Sequence, residues 1–180
     1  SIAKEIIKSV NKEPNPGKMT LEDLTNYTNV IRPVICGTFR EMNICTTTPP
    51  SSGGAQIMIA GIYDHLINNL STQEDKIAAF VDAQRLSYAD RDHFFGDPDE
   101  VKIPLEALID PKYIKARAKE RFLPNAIPTP GNPSKVIKDL SNIPKWGKDN
   151  TEEASGTTHM SIIDQYGNAV ALTATIESVF

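Results

Sequence analysis

The pattern of the chain predicts an α+β fold, in which helices dominate and the strands are short, antiparallel and paired with their sequence neighbours. Apolar residues recur at helical spacing in five stretches between Ile2 and Phe122. β-branched and apolar residues crowd into two segments, RPVICGTFREMNICTTT and GTTHMSIIDQYGNAVALTATI, each broken by a polar centre. Prolines and glycines punctuate the edges of these stretches.

The first helix places Ile2, Ile6, Ile7 and Val10 on one face and stops at Asn11, before the loop KEPNPGK. Thr20 and Asp23 form a capping box for a short second helix to about Tyr27, with Leu21, Leu24 and Tyr27 on its buried side. Two strands around Gly37 follow as a hairpin or meander, ended by Pro49 and Pro50. Ser51 and Ser52 then stand where their side chains would satisfy the open N–H groups of a helix running through AQIMIAGIYDHLINNL.

Ser71 and Glu74 form a second capping box, opening a long helix that Gly96 terminates. Asp110-Pro111 opens PKYIKARAKERF, whose charges are expected to lie mainly away from Tyr113, Ile114 and Phe122. From Leu123 to Ser155 prolines at 124, 128, 130, 133 and 144 mark a linker or extended crossing segment. The chain closes on a hairpin turning at Asp164–Asn168, with Ile163, Val170 and Leu172 as core candidates.

Composition excludes several function classes. With 180 residues, 39% of them hydrophobic, the length suits one globular domain. Two cysteines do not make a disulfide scaffold. A net charge of −4, with 19 basic residues diluted among 23 acidic ones, argues against nucleic acid as a partner. No apolar run approaches the length of a membrane-spanning helix. Both ends read as interrupted, the first in helical period and the last in an alternating apolar run, so part of a longer protein is expected.

The histidines, His65, His93 and His159, fall on separate elements, and neither CxxC nor HExxH occurs, so no metal and no cofactor is expected. Cys36 and Cys45 fall on adjacent strands, as two thiols or as a disulfide. Ser51-Ser52-Gly53-Gly54 lacks the lysine of a phosphate-binding loop and reads as a cap and turn. Asp90, Arg91 and Asp92 read as a solvated helix face with local ion pairs.

Gly156-Thr157 is different, because it joins a long irregular segment to the first strand of a hairpin. A threonine hydroxyl is a poor nucleophile without an adjacent base, and its own α-amine can be that base once the preceding bond is cut. Thr157 begins a strand, follows a segment that can leave, and has Thr175 on the returning strand as an orienting hydroxyl. Spacing alone favours the plainer reading of Thr157, Thr158, Thr173 and Thr175 as strand threonines.

The run TTHMSIIDQYGNAVALTATI at 157–176 closely resembles the start of the small subunit in gamma-glutamyltransferases, also called gamma-glutamyltranspeptidases. PPSSGG at 49–54 and YADRDHFFGDP at 88–98 resemble large-subunit motifs of the same family, in the same order. The resemblance implies a partial α/β/β/α N-terminal-nucleophile hydrolase fold. It divides the chain into residues 1–156, the later part of a large subunit with a helical region at 53–122 and a proline-rich junction at 123–156, and residues 157–180, the start of a small subunit.

It also implies self-cleavage of a precursor between Gly156 and Thr157, followed by attack of Thr157 on glutathione or another γ-glutamyl donor. Water, an amino acid or a peptide amine would then take the acyl group. Thr175 matches the threonine that hydrogen-bonds the nucleophile's amine. Glu177 matches a position that helps hold the substrate's α-amino group; many members carry Asn there and some bacterial ones Glu. Ser51 to Gly54 would shape the chain near the junction. The arginine for the substrate carboxylate is expected before Ser1, and the further acidic, serine and oxyanion-hole residues after Phe180. These 180 residues alone are therefore expected to remain uncut and inactive.

Family members are commonly periplasmic, secreted or at the cell surface, and the parent is expected there too. Two rivals share the resemblance: a cephalosporin- or glutaryl-type acylase, and a binding or scaffold homologue without activity. Glu177 leans toward a substrate bearing an ammonium group, and intact Gly156, Thr157 and Thr175 speak against the inactive homologue.

Overall fold

Two helices, α1 (Ile2–Val10) and α2 (Leu21–Asn26), open the chain, and the capping chemistry of the second is as expected. The Thr20 hydroxyl accepts from the Asp23 N–H, while the Asp23 carboxylate accepts from the Thr20 N–H at 2.7 Å. These hydrogen bonds hold the Asp23 carboxyl below its usual range. The expected buried side of α2 is not found: Tyr27 is 78% exposed, Leu21 is exposed and Leu24 only half-buried. A six-residue helix meeting α1 has too little surface to cover three large side chains.

The computed structural model describes residues 1–120, 122–137 and 156–175. They fall into two compact units, Ser1–Val30 with Asn150–Phe180, and Ile31–Asp149. The second unit begins with an antiparallel hairpin of β1 (Val34–Phe39) and β2 (Met42–Thr47). It continues through α3 (Gly53–Ile67), α4 (Gln73–Phe94), α5 (Leu105–Leu108), α6 (Pro111–Arg117) and a 3-10 turn at Pro133–Lys135.

Alternation decides which face of the first hairpin meets the helices. Ile35, Gly37 and Phe39 turn toward α3 with Ile44 and Thr46, and the absence of a side chain at Gly37 lets the strand lie against Ile57. Cys36 and Cys45 sit opposite one another on the outer face with Cα atoms 4.1 Å apart, and they form a disulfide.

Two apolar clusters hold the helices. Ile62, Ala83, Leu86, Ile114 and Ala118 form one, with Phe122 against its edge. Met58, Phe94, Leu108 and Tyr113 form the other. Two caps differ from expectation. Ser52 takes the N-cap position of α3 without its side chain capping, and α4 is capped by Thr72 and Asp75, one residue after Ser71 and Glu74. Both pairs satisfy the same spacing rule, and Thr72 is the one with extended backbone at the helix start.

The larger correction concerns Asp90, which is not on a solvated face. Asp90 and Arg117 are fully buried and paired at 3.0 Å. The carboxylate also accepts from the Tyr113 hydroxyl at 2.8 Å and the Gly131 N–H at 2.6 Å. Arg117 spends its remaining donors on the Thr129 carbonyl at 2.7 Å, the Leu86 carbonyl at 3.3 Å and the Glu120 carboxylate. Burial pushes the Asp90 carboxyl up, opposed first by the Arg117 charge. Burial and the facing Asp90 likewise raise Tyr113. Lys112, Lys115, Lys119 and Glu120 are exposed as expected, and Arg117 is the exception. The cluster clasps residues 129–131 of the proline-rich segment to α4 and α6. Residues 138–155 of that segment lie outside the described residues.

Candidate active site

Strands β3 (Thr157–Ile163) and β4 (Ala169–Thr175) form an antiparallel ribbon whose register runs from Thr157↔Thr175 to Ile163↔Ala169. Its loop is built around one carboxylate. Asp164 Oδ1 accepts from the N–H groups of Tyr166 at 2.8 Å and Asn168 at 2.9 Å, and Oδ2 accepts from the Asn168 amide at 2.7 Å. Gly167 takes φ = +84°, a conformation that costs glycine nothing. The Asn168 hydrogen bonds are the main reason the Asp164 carboxyl lies below its ordinary value. This loop sets the register, and the register sets which residues meet at the open end of the ribbon.

Side-chain parity then sorts the residues. Thr157, His159 and Ser161 share one face with Ala171, Thr173 and Thr175, while Thr158, Met160 and Ile162 share the other with Val170, Leu172 and Ala174. One face is therefore hydroxylic and the other apolar. Ile163, Val170 and Leu172 are not core residues, being 77%, 57% and 48% exposed. A two-stranded ribbon exposes both faces unless another layer lies on them, and all fourteen strand residues here are exposed.

The two threonines singled out from the sequence are brought together. Thr157 is the first residue of β3, Thr175 the last of β4, and they are direct partners in the ladder. The Thr175 hydroxyl donates to the Gly156 carbonyl oxygen at 3.5 Å, a long contact directed at the carbonyl immediately before Thr157. Glu177 lies outside the described residues. Ser51 to Gly54 belong to the start of α3, where Gly53 is closed in by Thr46 and Thr47 and Gly54 by Leu105 and Phe95.

His159, Thr173 and Ser161, none of them expected as site residues, lie together on the hydroxylic face. His159 Nδ1 lies 2.7 Å from the Thr173 hydroxyl, and Nε2 lies 3.1 Å from the Ser161 hydroxyl. A search for metal-ligand spacing passes over His159. Counting by twos from Thr157 would have found it.

Comparison with known proteins agrees with this layout. The family model described as Gamma-glutamyltranspeptidase matches residues 1–180. A glutathione hydrolase proenzyme of Bacillus subtilis (strain 168) is 37% identical over 171 residues, covering 91% of this chain and 29% of the relative. The chain thus spans under a third of that relative's length. The crystal structure of Helicobacter pylori gamma-glutamyltranspeptidase matches with a TM-score of 0.58 at 29% identity, over 78% of this chain and 40% of the other. A cephalosporin acylase from Bacillus halodurans matches with a TM-score of 0.62 at 21% identity, over 74% of this chain and 24% of the other, a likeness of fold alone. The α+β class and the partial α/β/β/α architecture are those of these structures.

Proposed function

The chain belongs to the gamma-glutamyltranspeptidase family, and from that premise we propose that it carries the cleavage junction and the nucleophile of an enzyme that hydrolyses or transfers γ-glutamyl groups. The observation that carries this reading is the pairing of Thr157 with Thr175, whose hydroxyl reaches the Gly156 carbonyl.

Maturation comes first. The Thr157 hydroxyl and the Gly156 carbonyl carbon are close enough in the covalent structure to close a five-membered ring. The Oγ–C bond forms, the C–N bond of the Gly156–Thr157 peptide breaks, and the hydroxyl proton passes to nitrogen. Water then hydrolyses the ester, leaving a carboxylate on Gly156 and an amine on Thr157. The Thr175 hydroxyl, already on that carbonyl, withdraws electron density from it as the tetrahedral centre forms.

Turnover repeats the chemistry on an external carbonyl. The Thr157 amine, near pKa ~8 in an unperturbed chain, accepts the proton from its own hydroxyl as that hydroxyl attacks the γ-carbonyl of glutathione or a related donor. The amine leaving group departs protonated, and water or an amino acid or peptide amine releases the γ-glutamyl group from Thr157. Thr175 then holds the Thr157 amine, and Glu177 offers a carboxylate to the donor's ammonium group. The chain lies across both subunits of the precursor, with residues 1–156 in the large one and 157–180 in the small.

The test uses the full-length parent. It should release the aniline from a γ-glutamyl anilide and much less from a glutaryl anilide, and Thr157→Ala should abolish release. Equal or preferential use of the glutaryl compound would move the assignment to an acylase.

A further inference from the structure

On the hydroxylic face of the β3–β4 ribbon, His159 bridges two hydroxyls two register steps behind the threonine pair. We propose that His159 is a positioning residue for Thr157 and Thr175, acting by engaging the Thr173 hydroxyl, and this rests on the role proposed above for those two threonines.

Thr173 stands directly opposite His159 and two residues before Thr175, so its side chain is the nearest hydroxyl on that face to the pair. An unengaged Thr173 hydroxyl would rotate and offer both a donor and an acceptor to Thr175 or Thr157. Each such contact would turn the Thr175 hydroxyl away from the Gly156 carbonyl or solvate the nucleophile. At 2.7 Å from Nδ1, Thr173 is instead held by the imidazole.

The imidazole is itself oriented. Nε2 lies 3.1 Å from the hydroxyl of Ser161, two residues along the same strand. In a neutral ring one nitrogen donates and the other accepts, and hydroxyls can answer either way, so both contacts are satisfied in either tautomer. His159 therefore links β3 to β4 by a side-chain bond in addition to the ladder, two register steps from the reactive end.

The expected signature is kinetic. His159→Val removes both hydrogen bonds while keeping a good strand residue, and Thr173→Val removes the hydroxyl while keeping its shape. His159→Val should slow splitting of the full-length protein and lower kcat on a γ-glutamyl anilide by roughly 3- to 10-fold, with KM nearly unchanged, whereas Thr173→Val, which leaves no hydroxyl to compete, should stay within about 2-fold of wild type. Because Thr173→Val removes the hydroxyl that His159 restrains, the double variant should recover most of the rate lost in His159→Val. His159→Gln, whose amide can donate to one hydroxyl and accept from the other, should recover most of the rate. A wild-type rate in His159→Val, a double variant as slow as His159→Val or slower, or a change confined to KM would overturn the proposal. A wild-type parent that neither splits nor turns over would overturn the function proposed above, and this one with it.

Discussion

Thr175 faces Thr157 across the β3–β4 ladder and directs its hydroxyl at the carbonyl of Gly156, 3.5 Å away. If the chain splits as proposed, a donor in that position would aid the splitting reaction before it has any substrate to assist. Thr175→Val in the full-length protein should therefore slow the appearance of two chains by about 10-fold, and Thr175→Ser should split at close to the normal rate. A time course on a denaturing gel checks both.

The buried Asp90–Arg117 pair should show the asymmetry of charge in an apolar interior. Arg117→Met alone leaves Asp90 buried among the Tyr113 hydroxyl and the Gly131 N–H without its cation, and should cost about 3–5 kcal/mol. Asp90→Leu combined with Arg117→Met should recover a large part of that loss, read by urea denaturation. Gly131→Ala should cost about 1–3 kcal/mol, since a β-carbon there would overlap the Tyr113 hydroxyl and press on Arg117.

The Asp164 loop should respond to acid. Its folded-state carboxyl lies below its ordinary value, so the unfolded chain binds the proton more readily. The stabilisation is fully present above the ordinary carboxylate pKa of about 4 and is lost as pH falls through the lower folded value. Amide exchange at Tyr166 and Asn168 should accelerate over that acid range in the native protein. In Asp164→Ala it should be fast throughout, without the acid transition.

Local chemistry was legible in the sequence, and distant pairing was not. The Thr20–Asp23 box, the stop at Asn11 and the turn around Gly167 each depend on residues within a few positions of one another. The cap of α4 was misplaced by one residue because Ser71/Glu74 and Thr72/Asp75 both fit the spacing. Asp90 lies 27 residues from Arg117, and no periodicity links two charges on different helices. For Tyr27, Ile163, Val170 and Leu172, apolar patterning shows which face prefers cover but cannot say what covers it. Thr157 and Thr175 stood out by resemblance, and the ladder register supplied their pairing.

The Cys36–Cys45 disulfide closes a short loop, the two cysteines being separated by nine in sequence. Replacing both by serine should lower stability by about 2–3 kcal/mol, mostly by freeing the unfolded chain. The inner face of that hairpin still packs on α3, so the helical circular dichroism of the double variant should remain native in water.

The account depends most on the bond between Gly156 and Thr157, and N-terminal sequencing with intact mass of the full-length protein tests it directly. The result predicted is two chains, the smaller beginning Thr-Thr-His-Met with an unblocked amine, and a single uncut chain for Thr157→Ala. A wild-type protein that stays one chain, or a smaller chain beginning at any other residue, would contradict it.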